Sequence, residues 1–156
     1  MKKTLFLLGV VLIMASCGTS KIERQTQRTF KGDWVLTDVD LPSALVDVSL
    51  FDDVDTKCFE PSVWHFVPNN NKGNYTIENS DCNPGKRDFH WSVKENSETG
   101  GFDLVLKPEQ EGKNAQKVKS GYRLELIELD DNQMVWEQTV SYDNEPFTIQ
   151  MRFSKN

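Results

Sequence analysis

Cys58 and Cys82 lie equally far on either side of Asn70, the centre of the polar turn Pro68-Asn69-Asn70-Asn71-Lys72-Gly73. If that turn joins two antiparallel strands, the thiols face each other just beyond the strand ends, and a disulfide would clamp the open end of the hairpin. A metal site would need further ligands, and the two histidines, His65 and His90, have no metal-ligand spacing to the cysteines. Asp47, Asp52, Asp53 and Asp55 form an acidic run, but it lacks the alternating order, the glycine and the distal glutamate of a calcium loop, and reads as a solvated loop. No nucleophile elbow, phosphate loop or paired-cysteine zinc motif occurs. These residues therefore point to a non-enzymatic protein with no metal and no cofactor.

The third cysteine has a different setting. Lys2 and Lys3 precede an apolar run from Leu5 to Met14, and Ala15-Ser16-Cys17 follows. The run is too short to span a bilayer, and small residues at its end suit a signal peptidase. Met14-Ala15-Ser16-Cys17 resembles the lipobox of bacterial lipoproteins, which implies removal of residues 1–16 and acylation of Cys17. Each buried methylene contributes about 0.8 kcal/mol, so two or three acyl chains would hold the protein stably on a membrane. The expected address is the cell envelope, an oxidising compartment in which the Cys58–Cys82 bridge would persist. Gly18-Thr19-Ser20-Lys21 lacks the acidic residues of a surface-export signal, which favours the periplasmic face of the outer membrane.

Loss of Lys2 and Lys3 with the leader shifts the formal charge from −6 to −8, which disfavours nucleic acid and anionic membrane surfaces as partners. Residues 17–30 contain one large aliphatic side chain before Phe30, that of Ile22, and read as the lipidated cysteine with a flexible tether. Residues 31–156 are expected to form one domain.

That domain must be built from strands. Apolar residues alternate with polar ones in eight segments, Gly32 to Val39, Ser62 to Val67, Gly73 to Asn79, Arg87 to Lys94, Gly101 to Lys107, Gly121 to Leu129, Gln133 to Tyr142 and Pro146 to Ser154, separated by turn residues. Alternation sends Trp34, Leu36, Phe89, Trp91, Val93, Phe102, Leu104, Leu106, Tyr122, Leu124, Leu126, Met134, Trp136, Phe147, Ile149, Met151 and Phe153 inward. Asp88, His90, Asp103, Arg123, Glu125, Glu137, Thr148, Gln150 and Arg152 fall on the outer face. Ile127 and Leu129 are out of phase with Leu126, which predicts a bulge there. Ser43 to Asp55 breaks the rhythm and reads as a short helix or covering loop at one end.

Gly32-Asp33-Trp34 resembles the Gly-x-Trp signature of lipocalins. With Lys57-Cys58-Phe59-Glu60, Ser62-Val63-Trp64-His65-Phe66, Gly73-Asn74-Tyr75, Gly121-Tyr122-Arg123-Leu124 and Met134-Val135-Trp136 in order, the chain resembles the short lipocalin-like lipoproteins of Bacteroidetes. The resemblance implies an all-β, eight-stranded up-and-down antiparallel barrel with no bare strand edge. It also implies that Trp34 packs under an arginine of the last strand, for which Arg152 is the candidate.

Trp34, Phe89, Trp91, Phe102, Tyr122, Trp136, Phe147 and Phe153 give the interior a heavy aromatic lining. Either these rings line a pocket for a small hydrophobic or amphipathic ligand, or they interdigitate and fill the barrel. The first reading makes the protein a membrane-tethered ligand binder. The second makes it an accessory lipoprotein whose outer surface meets an envelope protein partner.

Overall fold

The computed structural model describes residues 21–41, 48–109, 121–142 and 144–156. The expected leader, the acylated Cys17 and Asp47 lie outside them. The elements in chain order are α1 (Lys21–Thr29), β1 (Gly32–Asp40), β2 (Ser49–Leu50), β3 (Val54–Asp55), a 3-10 turn over Thr56–Phe59, β4 (Ser62–Val67), β5 (Lys72–Ile77), a 3-10 turn over Ser80–Cys82, β6 (Gly85–Glu95), β7 (Phe102–Pro108), β8 (Tyr122–Leu129), β9 (Gln133–Tyr142) and β10 (Glu145–Lys155). β1 and β4 to β10 close into an antiparallel barrel in the order β1-β10-β9-β8-β7-β6-β5-β4, while β2 and β3 form a separate ribbon. The eight segments read from alternation are the eight barrel strands. Two of them, Ser62–Val67 and Gln133–Tyr142, begin and end where the alternation does.

Alternation also chooses the faces correctly. Trp34, Leu36, Phe89, Trp91, Val93, Leu104, Leu106, Leu124, Met134, Trp136, Ile149, Met151 and Phe153 are all buried in one core. The β8–β9 register shifts between Leu126 and Glu128, so Ile127 is the bulged residue and stands 48% exposed. Gly73 permits a close approach: a Cβ there would sit 2.4 Å from the Phe89 ring and 2.6 Å from the His65 carbonyl oxygen. The Phe89 ring therefore lies across its cross-strand neighbour, a contact no larger residue would allow. One residue on the outer face does not stand in water. Asp103 is 1% exposed because Arg123 Nη1 (2.6 Å) and Asn96 Nδ2 (3.1 Å) both donate to its carboxylate.

Strand directions define two ends. The lower end carries α1 and the β4–β5, β6–β7 and β8–β9 turns; the upper end carries the β2–β3 ribbon and both 3-10 turns. Residues 21–29 are not the flexible tether expected of them. They form α1, which has no buried residue and is held by specific bonds instead. Gln27 Nε2 donates to the Pro68 carbonyl (3.4 Å), Glu23 Oε1 accepts from the Glu95 amide (3.0 Å), and Phe30 inserts beneath the barrel with no exposed surface. The domain therefore starts before residue 31, and Phe30 is its lower plug.

The expected pairing of Trp34 with Arg152 is also corrected. The β1–β10 register shifts between Leu36 and Asp38, which sets Arg152 opposite Asp38 on the outer face, where it pairs with Asp38 and Asp40. Lys155 takes the place instead. Its Nζ lies 4.8 Å from the Trp34 ring centroid and donates to the carbonyl of Thr29 (3.3 Å), tying the end of α1 to the tryptophan.

Candidate functional site

The β4–β5–β6 wall of the barrel is filled by its own side chains. Trp64 is fully buried at the centre of this half, with its ring 4.5 Å from Tyr75, 5.4 Å from Trp136, and 5.7 Å from both Phe89 and Phe153. Below it, Phe66 stacks toward Trp91 and Phe30, with ring separations of 5.1 and 5.3 Å. Above it, Phe51 and Phe59 close the upper end over Trp64 and Tyr75. No ligand can share this half without displacing rings that are in contact.

Phe51 reaches its place through a tight turn. Asp53 N–H donates to Leu50 O (3.0 Å), and the two central residues, Phe51 and Asp52, both have positive φ, at 57° and 53°. Such a turn normally uses Asn-Gly, so a phenylalanine there must be held by other contacts. Asp53 supplies them: its carboxylate accepts from Tyr75 Oη (2.9 Å) and from Arg87 Nε (2.9 Å). Burial, followed by the charge and hydrogen bond of Asp53, pushes the Tyr75 phenol well above its usual range. Burial first, with the neighbouring Asp52 carboxylate after it, does the same to Tyr122. Both phenols are therefore protonated donors at neutral pH. Asp53→Ala strands a buried phenol and a guanidinium that is 18% exposed, and is expected to cost about 2 kcal/mol in a urea titration.

The opposite wall differs. On the upper halves of β8, β9 and β10 the inward-facing residues are Tyr122, Leu124, Gln138, Val140, Phe147 and Ile149, and of these Tyr122, Gln138, Val140 and Phe147 are only partly buried. Beneath them Trp136 and Phe153 are buried, at 0% and 3% exposure, with ring centroids 4.2 Å apart. The indoles carry an unusual feature. Three of the four indole N–H groups have acceptors: Trp34 donates to Phe30 O, Trp64 to Ser62 Oγ and Trp91 to Lys72 O, each at 2.9 Å. Trp136 Nε1 is buried with no partner, and so is Gln138 Oε1 at the next inward position of the same strand.

The residues singled out in the sequence thus divide. Trp34, Phe89, Trp91, Trp136 and Phe153 are committed to packing, and Phe102 sits partly buried at the lower end. Tyr122 and Phe147 face the upper opening. The Cys58–Cys82 disulfide is formed, with an S–S distance of 2.06 Å, and joins the two 3-10 turns at the upper end. Of the acidic run, Asp53 is not a solvated loop residue but fastens the turn that carries Phe51, whereas Asp52 beside it is exposed. His65 meets Asp33 and His90 meets Glu109 (3.0 Å), on two different strands. Among the described residues no group of three or more His, Cys, Asp or Glu side chains is arranged to hold a metal ion. Phe30, Phe51, Phe59, Trp64, Phe66 and Tyr75 were not among the expected interior residues. For Trp64, Phe66 and Tyr75 the same alternation carried the signal.

No curated protein matches the chain. Among solved structures, apocrustacyanin C2 aligns with a TM-score of 0.46 at 15% identity, over 82% of this chain and 61% of that one. Lobster apocrustacyanin A1 aligns with a TM-score of 0.46 at 13% identity, over 89% and 72%. The chain thus spans under two thirds of the apocrustacyanin C2 length. Residues 30–136, from the lower plug to Trp136, match the family model described as a lipocalin-like domain, and the chain belongs to that family.

Proposed function

We propose that this protein is a membrane-tethered, non-enzymatic binding protein that holds a small hydrophobic or amphipathic molecule in the upper half of its barrel, against β8, β9 and β10. The observation that carries the reading is the contrast between the two walls. Inward residues on β4 to β6 are sealed under Phe51 and Phe59, whereas Tyr122, Gln138, Val140 and Phe147 keep partial access to solvent at the same level. Apolar side chains with a few polar groups among them are the usual lining of a small-molecule site.

The tether in this reading is Cys17, acylated after removal of residues 1–16, at the periplasmic face of the outer membrane. Three residues separate Cys17 from the start of α1, a reach of about 14 Å at most. Since α1 lies across the lower end, the lipid would hold that end near the bilayer and direct the opening away from it. Native mass spectrometry of protein extracted from its host envelope is expected to show a small molecule bound at one per chain. Repeated recovery of the bare mass would count against the proposal.

The filled β4–β6 half favours a second reading, an accessory lipoprotein that meets an envelope protein through its outer surface. A stoichiometric protein recovered with the lipidated form, together with an empty barrel, would favour that one.

A further inference from the structure

We infer that the cleft between α1 and the β4–β5 turn binds a phosphate group, held by Arg24 and Arg28. The site lies at the lower end, outside the barrel, and stands whatever the upper half holds. The cleft has a volume of about 280 Å³ and is lined by Arg24, Gln27, Arg28, Pro68, Asn69 and Asn71. Two guanidiniums and three carboxamides thus share it, and no carboxylate lines it. The chain as a whole is acidic, with 24 Asp and Glu against 18 Lys and Arg, so a cleft of this character is a local exception.

The fold does not use either arginine. Gln27 fixes α1 to the Pro68 carbonyl, Glu23 turns to the Glu95 amide of β6, and Phe30 plugs the barrel. The carbonyl end of α1 already has its cation, because Lys155 Nζ reaches the Thr29 carbonyl. The three arginines on strands are all paired, Arg87 with Asp53, Arg123 with Asp103 and Arg152 with Asp38. Arg24 and Arg28 are exposed, and among the described residues neither guanidinium has a carboxylate or a hydrogen-bond partner. Asp130 and Asp131, at the same end, stand on the β8–β9 turn, which the strand order sets diametrically opposite the β4–β5 turn.

The spacing selects the ligand. Arg24 and Arg28 are one helical turn apart on the same face of α1, with Cβ atoms about 5–6 Å from each other. Both planar forks can therefore close on one tetrahedral group, whose several oxygens accept from each. A carboxylate has two oxygens, which a single fork already fills. Gln27 keeps a second N–H after its bond to Pro68, and Asn69 and Asn71 add further donors at the opposite lip. The cleft opens to solvent, so the phosphate can belong to a soluble ester or to the headgroup of a phospholipid. The second source fits the tether reading, in which this end lies near the bilayer.

The full mature chain with Cys17→Ser has no cysteine to acylate, so its binding reads the cleft and not an anchor. Glycerol phosphate and sodium acetate are titrated into it by NMR, and vesicles of phosphatidylglycerol are sedimented with it. Glycerol phosphate is expected to move the side-chain amide signals of Gln27, Asn69 and Asn71 and to bind about tenfold more tightly than acetate. Arg24→Gln with Arg28→Gln is expected to weaken that binding by at least about tenfold with the melting temperature unchanged, since both side chains are exposed. Lys57→Gln with Lys86→Gln removes the same charge at the upper end and is expected to leave the affinity within about twofold. Sedimentation with the vesicles that the arginine variant loses and the lysine variant keeps, without a response to glycerol phosphate, supports the site and names a lipid headgroup as the source. No binding of either phosphate probe, equal binding of acetate, or an equal loss in the two double variants overturns the inference.

Discussion

Trp64→Ala lowers the stability of the barrel by about 4 kcal/mol, the largest effect expected of any single substitution in the packed half. The ring is fully buried, touches seven other aromatic rings, and gives its N–H to Ser62. Truncation loses that contact surface and leaves a cavity that the closed barrel cannot collapse around, since neighbouring strands on both sides are hydrogen-bonded in register. Ser62 Oγ also loses its donor. Val140→Ala on the opposite wall is the matched comparison: its side chain is partly exposed and is expected to cost no more than about 1 kcal/mol. Guanidinium titrations of both variants, with unchanged slope, give the two numbers. Equal costs would mean that the interior is not divided into a filled and an open half.

Conversion of Cys58 and Cys82 to serine is expected to cost nearly as much. The bridge joins residues 24 apart, for which constraint of the unfolded chain contributes about 3.5 kcal/mol. In a domain of this size that corresponds to a fall in melting temperature of roughly 12 °C. The loss should concentrate at the upper end, because Cys58 sits in the same 3-10 turn as Phe59, which covers Trp64 and Tyr75. Hydrogen exchange of the double variant is expected to rise most in β4 and β5, above the general rise that the lost constraint on the unfolded chain brings. A rise equal in all strands would show that the disulfide acts on the unfolded chain alone and not on the upper plug.

The sequence made the barrel legible because its strands are one-sided. Period-two hydrophobicity survives closure into a cylinder unchanged, so strand limits, inward faces and the Ile127 bulge can all be read before any coordinate is seen. The disulfide follows from hairpin symmetry for the same reason. What could not be read depends on contacts distant in sequence. α1 buries no residue, and its placement comes from Pro68, Glu95 and Lys155, none of them near it in the chain. Phe51 occupies a turn position that local preference gives to asparagine or glycine, and the Tyr75–Asp53–Arg87 bonds that hold it come from distant strands. Lys155 takes the place of Arg152 over Trp34 because the pairing of β1 with β10, which joins strands far apart in sequence, sets Trp34 opposite Lys155. As for the site, Tyr122 and Phe147 were visible as inward aromatics. Gln138 was not, since an isolated polar residue at an inward position stands out only once its neighbours are known.

A crystal structure of the protein taken directly from its host envelope tests the central claim most directly. The account predicts non-protein density lying against Tyr122, Val140 and Phe147. Side chains of the protein itself filling that space would contradict it.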